Sequence, residues 1–444
     1  MAGWNGDLER WLAPFLARLG HKARRRMCPL YVAGLIGPGD RKSVEPMASR
    51  LAPGDYDQLH HFISSGVWDE APLEEELAVQ ANKLIGGADT VLVVDDTALP
   101  KKGSHSVGVA PQYASALGKT ANCQTLVSLT LARDEVPVMI GLRLFLPESW
   151  AGDVDRMAKT RVPEDWRART KPEIALAEID RIRAAGVSFA TVLADAGYGL
   201  SASFRQGLDA RGLKWAVGIP KLQKVYPSNV RVVFPIAGRG RPRKRHVPDQ
   251  LSAPAEDVLA TAKWRRVSWR KGTKGPLVAS FAAVRVRIAD GPPQRIHAKG
   301  MQHMPGEEAW LVGERRASGE RKYYLSNLPP DANLKTLAAA IKARWVCEQA
   351  HQQLKEELGL DHFEGRSWHG LHRHALMAMI AYAYLQSRRL AQASGGKKNP
   401  PRAAQADIAR DPPRRSRHPR SRAALSMPAL LANPPQIPRM ILPK

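Results

Sequence analysis

Three acids in this chain are placed to hold divalent cations: Asp95, Asp195 and Glu348. Asp95 follows the apolar run of TVLVVDDTALP, and Asp195 closes the apolar run of ATVLADAGYG. Short continuous apolar runs read as buried strands. Both carboxylates are therefore expected at strand ends, projecting from one edge of a sheet. Glu348 lies far downstream in ARWVCEQAHQQLKEELGLDHF, a helical stretch that would pack across that edge. Hard oxygen donors of this kind suit Mg²⁺ or Mn²⁺. Two such ions, roughly 3.5–4 Å apart, can activate a water or a 3′-hydroxyl and stabilise the departing oxygen at a phosphodiester. Asp95 and Asp96 are adjacent, and successive strand side chains face opposite ways, so one of the two is a ligand; we take Asp95. Either aspartate alone would read as a helix cap or a turn residue. Their joint placement, with the helix downstream, carries the reading.

Around Glu348 the residues Arg344, Glu348, His351 and Lys355 are spaced four, three and four apart. At about 100° per residue they form one narrow helical stripe. A stripe of Arg, Glu, His and Lys is too polar for a core face. It reads either as a salt-bridged surface ladder or as an active-site face, with Glu348 on metal and the basic residues on phosphates.

These side chains need a scaffold, and the pattern of apolar residues supplies one. Residues 1–88 read as a helical N-terminal DNA-binding domain, with helical periodicity in LERWLAPFLARL and an arginine cluster at Arg24, Arg25 and Arg26. Residues 89–221 read as an α/β unit. Its order is the first strand, a hairpin of NCQTLVSLTLA and VPVMIGLRLFLP, the helix PEIALAEIDRIRAAG, the strand ending at Asp195, a helix near 203–211, and the strand LKWAVGIP. Pro172 and Gly186 mark the start and stop of the first of those helices. Residues 222–316 read as a β-rich insertion of antiparallel strands. The α/β pattern resumes over 317–392, with one long helix from about Leu334 to Leu358 and another from about Leu371 to Leu390. Residues 393–444 are rich in proline and arginine and hold no Phe, Trp or Tyr; they are expected to be a disordered basic tail.

The chain carries 67 Lys+Arg against 42 Asp+Glu over 444 residues, a net +25. Such a balance points to a polyanionic partner. The basic residues are spread through the chain and not gathered on one amphipathic helix, which favours nucleic acid over a membrane surface. No 18-residue apolar stretch is present, and the N-terminus lacks the pattern of a signal peptide. Three widely separated cysteines fit neither zinc spacing nor a disulfide framework. A cytoplasmic, nucleoid-associated protein is expected.

The chain resembles the DDE transposases of bacterial insertion sequences, in the IS-four superfamily and its IS-seven-hundred-one branch. Arg344-x3-Glu348-x6-Lys355 matches the spacing of that superfamily's signature, with Ile341 where a tyrosine stands in the pattern. VVDDTALPKKGSHSVGVAPQY resembles the first-aspartate block and LADAGYG the second, with LPESW between them. The resemblance spans roughly residues 10–390. It implies a ribonuclease-H-like mixed-sheet core interrupted by the β-rich insertion, with Asp95, Asp195 and Glu348 as ligands for two Mg²⁺ or Mn²⁺ ions. It further implies DNA contacts by Arg344 and Lys355, a homodimer that brings two transposon ends to target DNA, and no covalent protein–DNA intermediate.

Further candidates for contacts to double-stranded DNA are His351, the lysines Lys101, Lys102 and Lys119, and Arg239, Arg241 and Arg243 in GRGRPRKR. That last segment reads as either a minor-groove hook or a flexible loop touching phosphates. Trp264 and Trp269, among arginines, read as core residues before they read as stacking platforms. YASALGKT ends like a phosphate-binding loop, but Tyr113 stands where its first glycine is required, so no nucleotide cofactor is expected. His362, His369, His372 and His374 are expected to face phosphates or solvent. Two rival readings are a DNA-binding protein that has lost catalysis and a general metal nuclease.

Overall fold

A computed structural model describes residues 2–234, 245–272, 275–296 and 300–395. Five helices come first: α1 (Ala2–Ala17), α2 (Lys22–Ile36), α3 (Val44–Leu51), α4 (Tyr56–Ser64) and α5 (Ala71–Ile85). Their apolar stripes are not left for a partner. Leu12, Phe15, Tyr31, Leu35 and Leu77 are buried in the same cluster as Leu92, Val94 and Leu129 of the sheet that follows.

The sheet begins with β1 (Val91–Pro100), β2 (Ala110–Ala114), β3 (Lys119–Arg133) and β4 (Val136–Phe145). β3 and β4 form the expected hairpin, turning at Asp134 with φ 55°, a conformation that aspartate tolerates. After α6 (Glu148–Ala151) and α7 (Val154–Lys159) comes α8 (Lys171–Ala184). Thr170 and Glu173 close a reciprocal capping box at its start, and Gly186, at φ 80°, follows its end. Then β5 (Thr191–Ala194), α9 (Ala196–Gly199), α10 (Ala202–Ala210) and β6 (Lys214–Ile219) complete the first half.

The stretch 222–316 contributes β7 (Lys224–Pro227), β8 (Val232–Val233), β9 (Val247–Pro248), β10 (Ala253–Pro254), α11 (Ala255–Ala260), β11 (Arg265–Gly272), β12 (Gly275–Ile288), β13 (Pro293–Arg295), β14 (Met301–His303) and β15 (Glu308–Arg315). β16 (Arg321–Ser326), α12 (Leu334–Ala343), α13 (Trp345–Glu356) and α14 (Trp368–Gly395) follow. The tail beyond Gly395 and the arginines Arg239, Arg241 and Arg243 lie outside the described residues.

One sheet runs through the whole unit in the order β10-β7-β12-β15-β16-β6-β5-β1-β3-β2, with β11 on β12 and β4 on β3. Within it, β4-β3-β1 is antiparallel, while β5 and β6 lie parallel to β1. Of the strands of 222–316, β7, β10, β11, β12 and β15 are antiparallel and continue this sheet through β16, which pairs with β6, whereas β8 with β9 and β13 with β14 form two separate pairs. Met1–Ala391 forms one compact unit.

Two expectations are corrected. β1 does not end at Asp95; it runs on to Pro100 against β3, because residues 97–99 are buried as fully as the run before the aspartates. The single long helix across 334–358 is broken at Arg344, which belongs to neither α12 nor α13.

Candidate active site

The register of the two parallel strands places the aspartates. Val94 of β1 lies opposite Ala194 of β5, so Asp95 and Asp195 are each the next residue on neighbouring strands, which run about 4.8 Å apart. β5 stops there, and from Asp95 onward β1 loses its parallel neighbour. Asp195 turns into α9, where its side chain accepts hydrogen bonds from the backbone N–H groups of Gly197 at 2.9 Å and Tyr198 at 3.3 Å. Close packing fixes this turn, since a Cβ on Gly199 would sit 1.8 Å from the carbonyl oxygen of Gly218 on β6. Only glycine fits that approach.

α13 crosses the same edge. Arg344, at the break between α12 and α13, pairs through Nη1 with Asp95 Oδ2 and through Nη2 with Glu348 Oε1 at 3.1 Å. One guanidinium thus spans the first and third acids. Cys347 Sγ donates to Asp95 Oδ2 at 3.2 Å. Burial pushes the Asp95 carboxyl up to about 6; Arg344 opposes that shift and the charge of Asp195 adds to it. Burial works against the charge on Arg344, but Asp95 first and then Glu348 hold it firmly protonated. Glu348 itself is about half exposed. Arg344 thus pairs with the largely buried Asp95 and the half-exposed Glu348, while Asp195, in register beside Asp95, is held by the backbone N–H groups of α9.

Asp96 faces the other way. It accepts from Tyr198 Oη at 2.5 Å and pairs with Lys171 Nζ at 2.6 Å, beside a cavity of ≈ 570 Å³ that Asp195, Phe145 and Lys171 also line. The strand alternation thus separates Asp95 from Asp96 as expected.

The basic residues divide. Lys355 is half-buried, about two turns of α13 beyond Glu348, and donates to the carbonyl of Ala98 on β1 at 3.2 Å. Lys102 and Lys119 are exposed. Two other candidates are engaged within the fold. His351 is buried against Ser128 Oγ, at 2.8 Å from Nε2, and burial pushes its pKa down to about 3. Lys101 donates to the carbonyls of Phe363 at 2.7 Å and Asp361 at 3.3 Å. Neither is displayed to DNA in this arrangement. The four later histidines also serve the fold: His374 bridges Tyr31 Oη at 2.8 Å and the Gly359 carbonyl at 2.9 Å, His372 accepts from the Leu144 N–H, His362 from the Lys42 N–H, and His369 contacts Glu70. Trp269 packs edge-on against Phe281, and Trp264 lies against the core beneath Arg315.

Sequence reasoning passed over Cys347, Tyr198 and Lys171. Cys347 was detectable, because it lies four residues before His351 and thus on the same helix face. Its Sγ, an Asp95 oxygen and a His351 ring nitrogen all lie within 4.8 Å of one another.

Comparison with known proteins gives the family. Residues 14–276 match the family described as DDE superfamily endonuclease, and residues 171–384 match the transposase DDE domain. The chain is 30% identical over 190 residues to a probable transposase for insertion sequence element IS701 from Microchaete diplosiphon, a match that covers 42% of this chain and 46% of that protein. A piggyBac transposase, solved as a synaptic complex with hairpin DNA, covers 89% of this chain and 74% of its own at 10% identity and a TM-score of 0.39, too loose a likeness to carry an argument. No helix among the described residues is long and apolar enough to cross a membrane. The first family match spans more than half of the chain, and the chain belongs to the DDE superfamily of endonucleases.

Proposed function

We propose that this chain is a transposase that binds the terminal inverted repeats of its insertion sequence and catalyses metal-dependent strand cleavage and strand transfer. The observation that carries the proposal is the bridging of Asp95 and Glu348 by one guanidinium, with Asp195 in register beside Asp95. Asp95 and Glu348 lie about 250 residues apart in the chain, yet they pair with the same guanidinium at the edge of the sheet.

The donor set fits hard divalent ions. Asp95, Asp195 and Glu348 would hold two Mg²⁺ or Mn²⁺ ions, which would activate an attacking water or 3′-hydroxyl and stabilise the departing oxygen. The remaining work belongs to the chain. Arg344, on a break between helices, is placed to exchange Asp95 for a phosphate oxygen, and Lys355 supplies a second positive charge along α13. The hydrogen bonds from Gly197 and Tyr198 fix the Asp195 carboxylate before substrate arrives, which lowers the cost of ordering it in the reaction. Asp96, tied to Tyr198 and Lys171, anchors the strand from its opposite face.

The strand order β4-β3-β1-β5-β6, antiparallel then parallel, supports the ribonuclease-H-like reading of the core. On that reading, 89–221 and 317–392 form the catalytic core, 222–316 is inserted between them, and 1–88 is the DNA-binding domain. The net charge of +25 supports duplex DNA, transposon ends and target alike, as partner, and a homodimer would bring two ends together.

The test is cleavage and joining of DNA carrying the element's own ends. Asp95→Ala, Asp195→Ala and Glu348→Ala are each expected to abolish strand cleavage while end binding persists. Near-parental cutting by any one of them removes that residue from the site. Cleavage without joining by the parent chain would reduce the function to that of a metal nuclease.

A further inference from the structure

Asp95 belongs to a second cluster of a different chemical kind. Cys347 and His351 stand four apart on α13 and face β1, where Cys347 Sγ lies 3.2 Å from Asp95 Oδ2, and all three ligand atoms fall within 4.8 Å of one another. Cys347 and His351 are both buried, unlike Glu348. We propose that Asp95, Cys347 and His351 form a site for a soft or borderline divalent cation such as Zn²⁺, and that its occupancy competes with the hard ions for Asp95.

The donors argue for this metal class. One sulfur, one imidazole nitrogen and one carboxylate oxygen are a zinc set and a poor magnesium set. Zinc bond lengths of about 2.3 Å to sulfur and about 2.0–2.2 Å to nitrogen and oxygen put tetrahedral ligand atoms roughly 3.4–3.6 Å apart. The sulfur–oxygen pair already stands near that separation, and the remaining adjustment is within side-chain reach. Two residues four apart on one helix face give two ligands from a rigid element, as in helical zinc motifs, and β1 gives the third. The contact from His351 Nε2 to Ser128 Oγ at 2.8 Å holds the ring in the cluster. On binding, the Cys347 thiol gives its proton to solvent, and the thiolate with the Asp95 carboxylate balances the double positive charge. Arg344 leaves Asp95 in the same event, because a cation there takes its place.

Metal binding rests on this geometry alone; only the competition rests on the proposed transposase function. The full chain, freed of metal, is titrated with Co²⁺. The expected result is one ion bound with a thiolate-to-cobalt charge-transfer band and the intense visible bands of a tetrahedral centre. The band is expected to vanish in Cys347→Ser and to persist in Cys123→Ser. No thiolate band in the parent chain, or a band that survives Cys347→Ser, overturns the site. Zn²⁺ is also expected to inhibit Mg²⁺-dependent cleavage. Cleavage indifferent to zinc at saturating occupancy would overturn the competition and with it the place of Asp95 in the active centre, while the cobalt spectrum alone judges binding.

Discussion

The helix that brings Lys171 to Asp96 is fastened by a buried ionic network, and its strength can be read by titration. Glu178 of α8 accepts from Arg143 of β4 at 3.0 Å and from Arg181 at 2.9 Å, and Arg143 also reaches Glu74 of α5 at 2.8 Å. Both glutamate side chains are under a tenth exposed. Burial by itself would raise the pKa of Glu178, but Arg143 and Arg181 override it and bring it from 4.5 down to about 2. At about 1.4 kcal/mol per unit, that difference is worth about 3 kcal/mol of stability at neutral pH. The native pKa is the depressed one, so this stability is present above pH 4.5 and is lost as pH falls toward 2. Glu178→Gln removes the titrating charge. Urea unfolding of parent and variant should therefore differ by about 3 kcal/mol at pH 7 and by roughly half as much at pH 3. A gap that is the same at both pH values would mean that packing and not charge pairing holds α8, and a gap under about 1 kcal/mol at pH 7 would mean that desolvation cancels the pairing.

Arg344→Ala and Lys355→Ala should weaken binding to DNA ends and each lower the slope of log affinity against log salt by about 1; an unchanged slope, measured by titration at several salt concentrations, would confine them to structural roles. Gly199→Ala should destabilise the chain by about 3 kcal/mol or more, since its Cβ would meet the Gly218 carbonyl oxygen. A denaturation midpoint equal to that of the parent would show that α9 has room to shift.

The parts of this molecule that follow from local rules were legible in the sequence. The helix start at Pro172, the stop at Gly186, the hairpin across Asp134 and the short strand before Asp195 each depend on a few adjacent residues. The alternation of strand side chains also separated Asp95 from Asp96, whose carboxylates take different partners. What escaped depends on contacts between distant segments. β1 continues past Asp95 because β3 and not β5 is its long partner. The stripe on α13 read as too polar for a core face, yet it straddles a boundary: Glu348 lies on the solvent side while His351 turns inward beside Cys347 and Leu354. Helical periodicity locates a stripe but does not say which edge of it meets the sheet. Lys101 is drawn to the carbonyls of Asp361 and Phe363, more than 250 residues away, a contact that no local pattern encodes. The break at Arg344 is equally silent in sequence, since ARWV carries neither glycine nor proline.

The convergence of the three acids on metal is the claim beneath everything else, and anomalous diffraction tests it most directly. Crystals of the chain grown with Mn²⁺ and a DNA end should show manganese peaks within bonding distance of Asp95, Asp195 and Glu348, with Arg344 displaced from Asp95. Manganese bound elsewhere, with Arg344 still spanning Asp95 and Glu348 in the presence of DNA, would contradict the account.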